Sequence, residues 1–394
     1  MKVLHVIPSV SERSGGPGQA IIPMCSSLRE QDVEVLLAST DADLPAPNRP
    51  GGPKRGAVTR YKNLPSIFFP VQLGASFKYS RPFAQWLDDH VSDYDLVHIH
   101  AVFNHSSIAA ARACRKKGIP YVVRPLGTLD PWSMNQKSLR KKMFWNAGVR
   151  KMLAGAAAIH YTAKGEQQAV EGSLGLNHGV VVPLGVEAPK ISEIEAVEKL
   201  AARFPALLDH PYVLVLSRLH PKKALEVLIE PFVSLVKRPE FRNWRLVLAG
   251  EGPANYVASL KRLVEDQGAS EVVIFPGWLD GGDKEAALRN ASLLALPSHH
   301  ENFGLCVMES LACGVPVLIS PHVNLAPDIR AAGAGWVAEV NKDSLENALA
   351  EALSSEEERV RRGNAGRNLA LNFAWPKVAE KLIDLYTLAA ARRN

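Results

Sequence analysis

The run Leu293-Leu294-Ala295-Leu296-Pro297-Ser298-His299-His300-Glu301-Asn302-Phe303-Gly304-Leu305-Cys306-Val307-Met308-Glu309 has three parts. Leu293 to Pro297 is apolar and ends in proline, which predicts a buried strand. Ser298 to Asn302 is a polar turn. From Phe303 and Gly304 onward a small, apolar helical segment runs to Gly314. A helix that starts there leaves its first backbone amides free and carries a partial positive charge at that end. Such a corner suits a phosphate. If the segment were helical throughout, Glu301 and Glu309 would lie roughly 12 Å apart, too far to share a proton. They read as two recognition groups rather than an acid/base dyad.

The same alternation extends in both directions. Upstream, short β-branched runs alternate with helical segments: Val3 to Ile7, Gln19 to Glu30, Val33 to Ala38, Leu96 to His100, Ile108 to Lys117, Tyr121 to Val123, Ala157 to Tyr161 and Val180 to Val182. A second series follows Glu187, from Tyr212 to Leu216 through Arg245 to Ala249, Val272 to Phe275 and Ala291 to Leu296 to Val315 to Ile319. Strands alternating with helices predict parallel sheets covered on both faces. The expected fold class is α/β: two doubly wound, Rossmann-like domains, residues 1–183 and 184–374, joined near Pro183 to Glu187, then an amphipathic helix over 375–394 with no strand after it. The default ligand site of such a chain is the cleft where the carboxyl ends of the two sheets face each other. Asp41 to Pro70, rich in proline, glycine and basic residues, reads as a long loop off the first domain.

At 394 residues, 47% hydrophobic and 22% charged, the chain is ordinary globular material with room for two cores. The net charge of +6 favours anions, yet no basic and aromatic stripe marks a nucleic-acid site. Cys25, Cys114, Cys306 and Cys313 show no CxxC spacing, which points to free thiols in a reducing cytoplasm. The apolar start, Val3 to Ile7, is too short for a signal peptide and reads as a first strand. No apolar run reaches the roughly 18 residues of a membrane span.

Further polar groups gather at strand ends. Arg218 follows the strand Tyr212 to Ser217 and Lys223 comes five residues later, a planar fork and a point charge suited to a diphosphate. Ser14 to Gly18 lies between the first strand and first helix, where Gly15 and Gly16 either admit a ligand to the backbone or simply turn the chain. Gly250 to Pro253 and Pro276 to Leu279, including Trp278, could frame a base through backbone groups, although turn chemistry explains the glycines equally well. His98 and His100 share one face of a strand and would need a third ligand such as His105 to hold a metal; the reading preferred is one packed histidine and one lining the cleft, with no metal. Lys137 to Leu153 mixes Lys137, Arg140, Lys141, Lys142, Arg150 and Lys151 with Met143, Phe144 and Trp145, without a clean separation, so a membrane-surface face stands beside an ordinary packing one.

These pieces together resemble family 4 of the retaining glycosyltransferases, which have the two-domain GT-B fold. The resemblance covers nearly the whole chain, and its most specific part is Arg218 with Lys223 upstream of Glu301 and Glu309. It implies that Glu309 binds ribose hydroxyls, that Glu301, beside Asn302, reaches the donor sugar, and that Arg218, Lys223 and the amides of Phe303, Gly304 and Leu305 hold the diphosphate. It implies no metal and no cofactor. The donor would be a nucleotide diphosphate sugar, UDP-glucose being favoured on family frequency, and the acceptor a glycan or lipid-linked oligosaccharide in polysaccharide synthesis at the inner face of the membrane. Asp41 to Pro70 would lie on the acceptor side. The reaction would retain anomeric configuration in a closed, dry cleft, the leaving phosphate helping to take the acceptor proton.

Two positions depart from that pattern. Leu126 stands where many members carry a histidine near the anomeric carbon, leaving Arg124, Asp130, His100 or His105 as candidates to act there. Ala224 replaces a glycine after Lys223. The competing readings are a nucleotide-sugar epimerase, and a sugar-nucleotide-binding protein that has lost turnover, for which Leu126 is the feature in favour.

Overall fold

The structure is a computed structural model that describes residues 1–11, 15–46, 52–74, 76–135 and 138–392. Ser14 and Lys137, named above, lie outside the described residues. The chain forms two compact units, Met1–Gly185 together with Trp375–Asn394, and Val186–Ala374. Both are doubly wound α/β units, as the alternating pattern predicts.

The first unit holds strands β1 (Lys2–Ile7), β2 (Glu34–Thr40), β3 (Thr59–Tyr61), β4 (Leu64–Phe69), β5 (Leu96–His100), β6 (Tyr121–Arg124), β7 (Ala158–Tyr161) and β8 (Gly179–Val181). Their spatial order is β3-β4-β2-β1-β5-β6-β7-β8, parallel except for the β3/β4 hairpin. The second unit holds β9 (Tyr212–Leu216), β10 (Arg245–Ala249), β11 (Val273–Gly277), β12 (Leu293–Leu296), β13 (Val317–Ile319) and β14 (Gly335–Val337), in the order β11-β10-β9-β12-β13-β14. In each sheet the winding reverses beside a central strand, between β1 and β5 in the first and between β9 and β12 in the second. Ligands of such sheets bind at these reversal points, outside the carboxyl ends of the strands.

The stretch Asp41 to Pro70 corrects its reading as a loop. Its second half forms β3 and β4, and β4 pairs in parallel with β2, Leu37 opposite Ser66 and Thr40 opposite Phe69. Proline and glycine obscured a strand, Leu64–Phe69, whose side chains are mostly buried.

The two faces of the first sheet differ in chemistry. One is an apolar core that includes Leu4, Val6, Val97, Ile99, Val123 and Ile159. The alternating positions carry His5, His98, His100, Arg124 and His160, all 0% exposed. This polar face meets the terminal helix Trp375–Ala391, whose buried residues Trp375, Val378, Ala379, Leu382, Leu385, Tyr386 and Ala389 form one helical stripe. Trp375 fills the space beside Gly185, where an added Cβ would come within 2.2 Å of the indole.

Hydrogen bonds fix the order of this buried chain. His160 Nε2 lies 2.7 Å from the Val182 carbonyl, which can only accept, so His160 Nε2 carries the proton and Nδ1 accepts from His98 Nε2 at 3.2 Å. His98 Nδ1 then accepts from the Tyr386 hydroxyl at 2.8 Å. Tyr386 accepts from His5 Nε2 at 3.5 Å, and His5 Nδ1 accepts from His100 Nε2 at 3.1 Å. In this order His5, His98 and His160 each accept through Nδ1, a role an imidazolium, with two donors and no acceptor, cannot fill, whereas His100 only donates. Burial, with the Arg124 charge nearby, takes His5 and His160 down to about 3 and His98 and His100 well below the ordinary histidine value.

Because these rings stay neutral when folded, the unfolded chain binds more protons below about pH 6.5, and stability falls as the pH drops through that value towards 3. Each of the four groups, titrating near pH 6.5 only in the unfolded chain, contributes about 1.4 kcal/mol over the whole interval, which predicts a loss of about 5 kcal/mol between pH 7.5 and 5.5. Urea unfolding at the two pH values, with proton uptake measured by calorimetry in two buffers, checks this. An unchanged stability and no proton uptake would contradict the neutral chain.

Candidate functional site

The carboxyl ends of β9 and β12, at the reversal point of the second sheet, bring together Arg218, Lys223 and Glu301. After β9 the chain is pinned by Ser217 N–H to Ala249 O at 3.1 Å and Leu219 N–H to Glu251 O at 2.8 Å. These bonds require a close approach that only glycine permits. A Cβ at Gly250 would lie 1.8 Å from Ser217 O, and one at Gly252 would lie 1.8 Å from Leu219 O. Gly250 has φ 143°, outside the range that side chains favour. The Gly250 to Pro253 turn therefore braces the segment that carries Arg218, which is exposed.

Beyond Arg218, His220 Nδ1 accepts from Lys222 N–H at 3.1 Å and opens a short turn, Pro221–Lys223. Burial and then the cations Arg218, Lys222 and Lys223 lower the His220 value. Ala224 leaves the turn at φ 51° and ψ 43°, a left-handed conformation. Glycine adopts it freely, whereas alanine there costs about 1 kcal/mol. The turn also receives His299 N–H at Lys222 O, 2.9 Å, which fastens it to the β12 exit.

Glu301 sits on that exit, held by its own backbone: N–H to His322 O at 3.0 Å and O from Asn324 N–H at 3.1 Å. The residue is extended rather than helical, paired with Val323. Its carboxylate contacts Lys223 Nζ in an ion pair that is four-fifths buried or more on both sides. Burial pushes the Glu301 carboxyl up, but Lys223, helped by Lys222 and His300, more than offsets this and leaves it below the ordinary glutamate value.

The helix Leu305–Ala312 begins where the sequence places it, with Gly304 at φ 83° as its first cap and no side chain capping its amides. Phe303 is buried and lies 6.1 Å, ring to ring, from Phe373. Glu309, one turn in, is paired with Lys284 Nζ at 2.7 Å. Lys284 is the residue that sequence reasoning missed. It lies in the helix Gly281–Arg289 directly after the Trp278-Leu279 turn, and only its spacing behind Asp280 could have drawn attention to it. Leu279 is 4% exposed, so this turn can offer a ligand its backbone rather than that side chain.

The first unit corrects several expectations. His100 and Arg124 do not line a ligand site: both are fully buried on the face covered by the helices Gly16–Glu30 and Trp375–Ala391, with Arg124 Nη1 directed at Met24 Sδ, 3.8 Å away. His98 is buried as well, so neither member of the histidine pair reaches solvent. His105 is not their third partner, since its Nδ1 accepts from Ser80 N–H at 3.2 Å. His5 joins them instead, and the three rings have ligand atoms within 4.8 Å of one another. The hydrogen-bonded chain uses most of their nitrogens, and the adjacent Arg124 charge opposes a dication, so the donor set fits a neutral network better than a metal site.

Gly15, at φ 95°, does stand before the helix Gly16–Glu30, and its carbonyl takes the Gly18 N–H at 3.1 Å. Gly18 makes a close approach of its own, since a Cβ there would fall 2.3 Å from Ser11 O. Leu126 is half-buried and left-handed at φ 61°, followed by Gly127 at φ 68°. That conformation costs a leucine about 1–2 kcal/mol.

Comparison with known proteins follows these boundaries. Residues 15–185 match the family model described as "Glycosyl transferase 4-like domain", and residues 197–369 match "Glycosyl transferases group 1". The D-inositol 3-phosphate glycosyltransferase of Corynebacterium efficiens is 29% identical over 49% of this chain, and the match spans 46% of that relative, about half its length. The enzyme of the same name from Actinosynnema mirum is 26% identical over 95% of this chain and 92% of its own. Among solved structures, Anabaena HepE in complex with UDP and glucose superposes with a TM-score of 0.75 at 18% identity, over 98% of this chain and 99% of the other.

Replacing Gly250 by alanine must push Ser217 and Arg218 out of place. The variant is expected to melt several degrees below the parent, through the transition of residues 186–374. An unchanged melting temperature would show that the close approach is not required.

Proposed function

The chain belongs to the family 4-like glycosyltransferases of GT-B fold, and from that premise we propose that it transfers a hexose from a nucleotide diphosphate sugar to a hydroxyl of a glycan or lipid-linked acceptor. The single observation that carries this reading is that Arg218, the Lys223–Glu301 pair and the helix Leu305–Ala312, whose amides no side chain caps, all follow β9 or β12 at the reversal point of the second sheet. The donor we propose is a UDP-sugar, UDP-glucose first.

In this reading the diphosphate lies against Arg218, Lys223 and the amides near Gly304. As the bond from the anomeric carbon to the phosphate oxygen breaks, negative charge grows on the departing phosphate. Donors already aimed at that charge need not reorganise, and one well-placed donor is worth roughly 3 to 4 kcal/mol. These groups supply the positive charge, so no metal is needed. Glu309 takes the ribose hydroxyls, exchanging its Lys284 partner for them. Glu301 turns to the hydroxyls of the sugar once the diphosphate draws Lys223 away. The configuration at the anomeric carbon is retained, and the leaving phosphate helps to accept the acceptor's proton.

Peripheral contact with an anionic membrane belongs to the same proposal. Between Leu96 and Ala163 there are eleven lysines and arginines and one acid, Asp130. Lys142, Arg150 and Lys151 are exposed, Met143 beside them is 60% exposed, and Arg115 reaches the Lys151 carbonyl at 3.4 Å, joining a second basic run, Arg115 to Lys117. An acceptor carried on a lipid would meet the protein there.

Release of nucleotide from UDP-, GDP- and ADP-sugars, with and without saccharide acceptors, tests the activity. Glu309→Ala is expected to raise the donor KM about tenfold or more, Glu301→Ala to lower kcat by about 100-fold with a smaller change in KM, and excess EDTA to leave the rate unchanged. Conversion of the sugar without an acceptor would instead identify an epimerase. Tight nucleotide binding without turnover would identify a binding protein. Sedimentation with vesicles checks the membrane part: binding to anionic but not neutral vesicles, lost in high salt, is expected, and equal recovery with both would remove it.

A further inference from the structure

The turn that follows β6 stands where the family resemblance places a histidine, and here it is strained without an imidazole to explain it. Leu126 and Gly127 are successive left-handed residues, at φ 61° and 68°. The turn closes through Thr128 N–H and Thr128 Oγ1 to the Pro125 carbonyl, at 3.3 and 2.6 Å. Two left-handed residues in a row define a tight primed turn, which favours asparagine or glycine at its first central position. A leucine persists there only if its surroundings over-determine it. Arg124, Pro125, Gly127 and Leu129 are buried, while Leu126 and Thr128 are half-buried and are the parts of the turn that reach outward.

What holds the turn is Glu166, 1% exposed, in the first turn of the helix Lys164–Leu174. Its Oε1 accepts Gly127 N–H at 2.8 Å. Its Oε2 accepts Thr162 N–H at 2.8 Å and Thr162 Oγ1–H at 3.0 Å. One buried carboxylate thus ties the exit of β6 to the exit of β7, and both exits lie at the carboxyl edge of the first sheet. The neighbouring strand end is unusual too: Ala101, after β5, is left-handed at φ 73° and donates its N–H to the Arg124 carbonyl at 2.9 Å. Strain that clusters at one sheet edge and is clamped by a buried charge is the mark of a functional edge.

We propose that Glu166 is a positioning residue for sugar transfer: acting through the Gly127 amide, it holds the Leu126 turn in its strained form at the carboxyl edge of the first sheet, the edge at which such sheets bind ligands. The inference rests on the transferase reading and adds to it a residue far in sequence from the nucleotide site. Glu166 touches no substrate in this account. Its carboxylate is required because both of its oxygens face donors. A glutamine would keep the shape but turn an amide NH2 toward one of those N–H groups, which removes an acceptor and sets donor against donor.

The test compares Glu166→Gln, Leu126→Gly and the double variant in the full-length protein with the nucleotide sugar that the parent uses. For Glu166→Gln, kcat is expected to fall about 10- to 100-fold while donor KM and nucleotide affinity stay within about twofold, since the proposed nucleotide site lies in the other unit. Leu126→Gly is expected to melt higher than the parent, because glycine accepts the turn without strain, and yet to turn over more slowly. In the Leu126→Gly background the further loss from Glu166→Gln should shrink, because a glycine turn needs no clamp. Equal losses in both backgrounds, or an unchanged kcat in a folded Glu166→Gln protein, would overturn the proposal. If Glu166→Gln fails to fold, Leu126→Gly alone decides: a kcat equal to the parent's would refute a role for the strained turn. A parent inactive with every donor would sink the transferase reading first, and this inference with it. A parent that turns over while the variants behave like it sinks only the inference.

Discussion

Everything proposed for this chain depends on keeping positive charge in place at the point where the second sheet reverses its winding. Arg218 and Lys223 leave one strand, Glu301 leaves the next, and a helix points its uncapped end at the same corner. Like charges so close would repel without a partner, and Glu301 supplies one through Lys223. Lys284 and Glu309 repeat the arrangement one helical turn further along. Both acids that the proposed donor would need are thus held by lysines until a ligand offers something better. Before a ligand binds, each of these acids is paired, which matters because an unpaired charge in a largely buried site is far more costly than a paired one.

Backbone geometry serves this arrangement. Gly250 and Gly252 let the β10 exit press against the segment carrying Arg218, and His299 N–H fastens the lysine turn to the glutamate turn. Ala224 tolerates a left-handed conformation to deliver Lys223. The first unit does the same with other means, where Glu166 clamps two strand ends and leaves Leu126 strained. In the same unit a neutral chain of four histidines and Tyr386 binds the terminal helix to the sheet.

Much of this was legible in the sequence. Short β-branched and apolar runs alternating with helical segments predict both sheets, and the strand, turn and helix around Glu301 stand where the sequence places them because proline and glycine mark each junction. The resemblance carried by Arg218, Lys223, Glu301 and Glu309 agrees with the matched families. What the sequence did not reveal is which face of a strand a helix covers. His98, His100 and Arg124 share one face, as alternation required, but only the structure shows the terminal helix seated on it. The strand β4 was hidden for a related reason, since its proline and the basic, glycine-rich approach to it outweigh a six-residue apolar run. Lys284 and Glu166 were invisible because their importance lies in a partner 25 or 39 residues away.

The central claim, that Arg218 and Lys223 with the helix amides form a diphosphate site, is tested most directly by titrating UDP and uridine into the parent and into an Arg218→Ala/Lys223→Ala variant by calorimetry. The account predicts that the parent binds UDP far more tightly than uridine, and that the variant loses this difference while binding the nucleoside about equally. UDP binding of equal strength in parent and variant, or equal affinity of the parent for UDP and uridine, would contradict it.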